Sequence, residues 1–190
     1  RKFSSRGVIW YQGERNALTT REAIAYRKFF PLMIGSWRDA FGDPNLPFLF
    51  VQLPRMSESN PRNLPALRES QLHTNQTVAH TAMAVTIDVG KEVGLHPQLK
   101  KPIGLRLAKL ARGQVYGERI PFVGPRFKEF SVENSELIIR FDHLPSGLKT
   151  EDGNPPSEFT LCGPDKKFHP ALAKVVEDTI VLSSKKVTQP

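Results

Sequence analysis

Two short stretches carry the residues best suited to chemistry. The first, Gln12-Gly13-Glu14-Arg15-Asn16, follows the apolar run GVIWY and gathers two carboxamides, a carboxylate and a guanidinium. The second runs from Asp88 through Gly90 and Glu92 to His96 and follows AMAVTID. A carboxamide donates and accepts hydrogen bonds, and an imidazole titrates near neutral pH. A side-chain amide and an imidazole could therefore converge on one substrate. Spacing alone leaves plainer roles open, because an asparagine after a strand commonly serves as a turn or cap residue. A histidine beside a proline is likewise often structural. The other histidines, His73, His80, His143 and His169, show no metal-ligand spacing, so neither a metal nor a cofactor is expected.

Convergence of the two stretches depends on the segments around them. GVIWY (7–11), PFLFVQL (47–53) and AMAVTID (82–88) are short, apolar and rich in β-branched or aromatic residues, as buried strands are. Between the first two, Thr19-Thr20-Arg21-Glu22 offers a capping box, and Tyr26, Phe30, Met33, Trp37 and Phe41 recur at helical steps. Pro31 falls inside that helix and is expected to kink it, and Gly42-Asp43-Pro44 ends it. A loop rich in Pro, Ser and Asn (54–65) leads to a second helix over 66–78. Leu99, Ile103, Leu107, Leu110 and Ala111 mark a third, with Lys100, Lys101, Arg106, Lys109 and Arg112 facing water.

Alternating strands and helices imply a parallel sheet with crossover helices, an α/β fold over residues 1–118. Ligands bind such sheets beyond the carboxyl ends of the strands. If the first and third strands are neighbours, the loops bearing Asn16 and His96 share one rim. From residue 119 to 190 helical periodicity is lost, and ELIIRFDH, EFTLCG and TIVLSS alternate with turn sequences, so this part reads as a small β-strand module.

The net charge of +8 raises the question of nucleic acid, but the basic residues are scattered in pairs such as Lys100/Lys101 and Lys185/Lys186. No nucleic-acid partner is expected from that dispersion, and the charge suits an anionic glycan equally well. One cysteine, Cys162, excludes an internal disulfide. No run approaches the roughly 20 apolar residues of a membrane span. The chain opens Arg-Lys-Phe without a methionine, so its natural start is expected to lie upstream.

GVIWYQGERNA resembles the GVIWYQGESNA segment of the sialate O-acetylesterases, which are SGNH-type serine hydrolases. YRKFFPLMIGSWRDAFG, PFLFVQL, LRESQ, MAVTIDVG and LHPQLKKPIGLRLAKLA follow in the order of that family. FDHLPSGLKTEDG, FTLCGPDKKFHPALAKV and VLSSKKV extend the likeness through the β module. The resemblance implies a partial SGNH-type, flavodoxin-like parallel sheet followed by part of a β-sandwich. It also implies an acetylated sugar as substrate and an extracellular or periplasmic setting. By position, Asn16 matches the family's oxyanion-donating asparagine and His96 its general base, while Gln12 and Glu14 take supporting roles in the same loop.

Three departures qualify these expectations. The family's serine and glycine blocks precede GVIWYQGE, and Ser4 and Ser5 lack their surroundings, so the nucleophile is expected outside these residues. Val93 and Gly94 stand where many relatives place an acid before the histidine, leaving Asp88, Glu92 or a backbone carbonyl to orient His96. Arg15 replaces the usual serine. A different class of function, a non-catalytic carbohydrate-binding descendant of the same fold, fits the first two departures as well. Oligomeric state is not legible.

Overall fold

The structure, a computed structural model, describes residues 5–55, 63–90 and 99–190. The chain divides into two units, Arg1–Phe122 and Val123–Pro190.

The first unit is built on three parallel strands in the order β1-β2-β3: β1 (Val8–Trp10), β2 (Phe48–Val51) and β3 (Thr81–Ala84). Val8 pairs with Phe48 and Phe48 with Thr81, so all three carboxyl ends lie on one edge. The first and third strands are therefore not neighbours, as convergence of the two loops had seemed to require; β2 lies between them. Every residue of β2 and β3 is buried, which explains why both read as continuous apolar runs rather than alternating ones.

Helices cover the sheet. Tyr26, Phe30 and Ile34 of α1 (Thr20–Phe41) and Leu64 and Leu67 of α2 (Leu64–Thr77) form one core with Phe48, Phe50 and Met83. Strand alternation turns Leu49 and Val51 the other way. The helix α3 (Lys100–Leu110), with Ile103, Leu107 and Leu110 buried, packs against β2 and β3. Full burial of side chains such as Phe30, Phe48 and Phe50 stabilises by about 1.5–3 kcal/mol each.

The local signals of α1 are realised. Thr19 and Glu22 form a reciprocal capping box, and Gly42 closes the helix in the left-handed region at φ 63°. The helix runs through Pro31 for 22 residues. Two expectations need correction. The third strand stops at Ala84 instead of reaching residue 88, because Thr86 turns inward, donates to the Gln52 carbonyl at 2.5 Å and is followed by a 3-10 turn, Ile87–Val89. Arg106, expected to face water, instead donates to the Val85 carbonyl and to both oxygens of Asp88 at 2.6 Å.

The second unit is antiparallel. Strands β4 (Arg126–Glu133), β5 (Glu136–Asp142), β8 (Leu172–Val176) and β9 (Thr179–Ser183) form a sheet in the order β4-β5-β9-β8. The short pair β6 (Thr160–Leu161) and β7 (His169–Pro170) stands beside it as a separate ladder. Leu161, Ala173, Ile180, Leu182 and Val187 form its core. A two-residue turn joins β4 to β5 with positive φ at Asn134 and Ser135, the backbone that matches strand twist in tight hairpins.

Candidate active site

The loop after β1 is shaped by Gly13. Its φ of 146° lies outside the range of ordinary side chains, and an added Cβ would stand 2.8 Å from Leu67 Cδ2. Beyond it, Glu14–Ala17 form a 3-10 turn in which the Asn16 backbone N–H donates to the Gly13 carbonyl at 2.9 Å. Ala17 is fully buried and anchors the turn to the core. Asn63, at the start of α2, ties down the far side. Its backbone N–H donates to the Ala17 carbonyl at 2.7 Å, while its side chain accepts from Thr20 at 2.7 Å.

Within this loop the predicted residues Gln12 and Asn16 meet. Gln12 Nε2 donates to Asn16 Oδ1 at 2.9 Å, and Gln12 Oε1 accepts from the Tyr26 hydroxyl at 3.0 Å. Tyr26 also accepts from Trp10 Nε1 at 3.5 Å. Burial, with a smaller push from the Glu14 carboxylate, raises the Tyr26 phenol to about 12, so it stays protonated near neutral pH. Glu14, the other predicted supporting residue, heads the 3-10 turn and raises the neighbouring Tyr11 phenol after burial has done so first.

Two buried polar residues hold the carboxyl ends of the strands together. Gln71 of α2 is fully buried; its Nε2 donates to Val51 O at 3.1 Å and to Gln12 O at 3.4 Å. Its Oε1 accepts from Leu53 N at 3.0 Å. One side chain thus joins the ends of β1 and β2, and Thr86 joins β3 to β2 through Gln52. Sequence reading missed both, because a polar residue in a helix or loop carries no periodic mark of burial. Unsatisfied, such groups would cost about 1–3 kcal/mol, so their full bonding keeps the rim rigid.

His96, the predicted general base, lies outside the described residues, as do Glu92, Val93 and Gly94. The Lys100 ammonium sits 5.5 Å from the centroid of the Tyr11 ring. The first turn of α3 is thereby brought beside the end of β1. Among the described residues no group of three or more His, Cys, Asp or Glu could hold a metal, and no helix is long and apolar enough to cross a membrane.

Comparison with known proteins agrees with this architecture. A sialate O-acetylesterase from Mus musculus is 34% identical over 158 residues, covering 72% of this chain and 29% of the relative. The Homo sapiens sialate O-acetylesterase is 31% identical over 191 residues, covering 90% of this chain and 36% of the relative. The chain thus spans about a third of the length of these relatives. The crystal structure of a novel carbohydrate acetylesterase from Xanthomonas citri superposes with a TM-score of 0.91 at 38% identity, over 100% of this chain and 44% of that one. A protein from Arabidopsis thaliana, 21% identical with a TM-score of 0.50 over 59% of this chain and 45% of that one, shares the fold. The family model described as carbohydrate esterase, sialic acid-specific acetylesterase matches residues 1–112, and the chain belongs to that family.

Proposed function

We propose that this chain supplies the oxyanion donor and the general base of a serine esterase that hydrolyses O-acetyl esters of sialic acids or related sugars. The observation that carries the reading is the setting of Asn16 at the carboxyl edge of the parallel sheet. Its oxygen is engaged by Gln12, which leaves its N–H donors for a substrate.

In the first half-reaction a serine Oγ, from a segment outside these residues, attacks the acetyl carbonyl carbon and gives its proton to His96. The carbonyl oxygen becomes an oxyanion and takes a hydrogen bond from Asn16 Nδ2. The intermediate collapses as the bond to the sugar oxygen breaks, and that oxygen takes the proton from His96, leaving acetyl-serine. Water then attacks the acetyl group and gives its proton to His96. Serine departs with that proton, and acetic acid is released. Gln12 and Glu14 position the loop rather than react. An extracellular or periplasmic setting is part of the same proposal.

One observation favours a second reading, a carbohydrate-binding descendant without turnover: Val93 and Gly94 stand where an acid would orient the histidine. Acetate release from O-acetylated sialic acid by the full-length protein separates the two. The esterase reading expects turnover that falls by about a thousandfold or more in His96→Ala. Sugar binding without acetate release would support the descendant, and turnover unchanged in His96→Ala would remove His96 from the mechanism.

A further inference from the structure

The carboxamide of Asn16 has two ends of opposite character. With nitrogen toward the substrate it stabilises an oxyanion; turned by half a rotation it would present an oxygen and repel one. The structure contains a chain of hydrogen bonds that selects between them. Trp10 Nε1 donates to the Tyr26 oxygen at 3.5 Å, Tyr26 donates to Gln12 Oε1 at 3.0 Å, and Gln12 Nε2 donates to Asn16 Oδ1 at 2.9 Å. An indole nitrogen only donates, so the chain begins at an end that cannot reverse. Reversing the Gln12 link would leave the Tyr26 proton facing only the Gln12 backbone oxygen, at 3.5 Å. Orientation of side-chain amides follows from such networks. Tyr26 is 4% exposed, and its ring packs against Phe30 with centroids 5.1 Å apart, so the hydroxyl has little freedom to move elsewhere.

We propose that Tyr26, held by Trp10, is a positioning residue that acts through Gln12 to set Asn16 with its nitrogen toward the acyl oxygen. The proposal rests on the reading of Asn16 as the oxyanion donor and adds two residues, one on β1 and one on α1, that act through Gln12.

Tyr26→Phe in the full-length protein keeps the ring and removes only the hydroxyl. The expected result is a fall in kcat of about tenfold with KM unchanged, short of the roughly 10²–10³ for loss of an oxyanion donor. Introduced into an Asn16→Ala background, the same change costs nothing further, because the residue it positions is gone. Full activity of Tyr26→Phe, or an equal loss in both backgrounds, would overturn the proposal. A second readout does not depend on turnover: the side-chain amide resonances of Asn16, assigned by their disappearance in Asn16→Asp. These shift in Tyr26→Phe if the relay sets the amide, and unshifted resonances would overturn it. A protein that releases no acetate yet shows the shift would retain the relay while losing the esterase reading.

Discussion

Asn16 can act only if the turn that carries it is held in place, and Gly13 is the residue on which that turn depends. Its backbone conformation excludes ordinary side chains, and the space beside it is filled by Leu67 and Leu53. Gly13→Ala is therefore expected to lower stability by about 1–3 kcal/mol and to displace Asn16, reducing kcat as well. Thermal unfolding and acetate release in the full-length protein check this; unchanged values for both would show that the loop tolerates the methyl group. Gln12 and Asn16 were singled out in the sequence by their place after an apolar run and by the family resemblance. Tyr26 was legible only as a core aromatic, because its hydroxyl leaves no trace in the helical pattern. Gln71 and Thr86 carried no sequence signal at all. Their importance comes from burial at strand ends, which only the folded chain reveals.

At the scale of elements, the parallel sheet and its helices followed from apolar runs and a capping box. Ends were less legible, and β3 shows why. The apolar pattern continues through Val85 and Ile87, yet both are 46% exposed because the chain has left the ladder. In the second unit β4 was missed for a related reason. A register shift between Phe127 and Glu129 breaks the two-residue alternation that marks a strand. The Asp88–Arg106 pair clamps the turn after β3 to α3. Arg106 holds the Asp88 carboxyl below its ordinary value of 3.8, so the folded state favours the charged form. The stabilisation is therefore present above 3.8 and is lost as pH falls through the lower, folded value. Both side chains are partly exposed, at 38% and 58%, and screening limits the effect to about 0.2–1 kcal/mol. Asp88→Asn should be less stable than the wild type by that amount at neutral pH, with the difference closing on acidification. A difference that persists in acid would assign the loss to packing instead.

At the scale of the molecule, the proposed function makes the chain one part of a larger catalytic arrangement. Its first unit places Asn16 at the carboxyl edge of a sheet, where open α/β folds bind ligands. The relatives it matches are roughly three times as long, and the proposal takes its nucleophile from outside these residues. Family membership and the fold of the α/β unit were both legible in the order of the motifs, from WYQGERNA to GLHPQLK. The hydrogen-bond relay behind Asn16 was not, because it joins residues 10, 12, 16 and 26 through contacts across β1, its loop and α1. The measurement to make is acetate release from an O-acetylated sialic acid by the full-length protein and its Asn16→Ala variant, with kcat and KM separated. A kcat lower by about 10²–10³ with KM little changed is the expected result, since an oxyanion donor acts mainly in the transition state. Equal kcat in the two proteins would contradict the role given to Asn16 and, with it, the reading of the site.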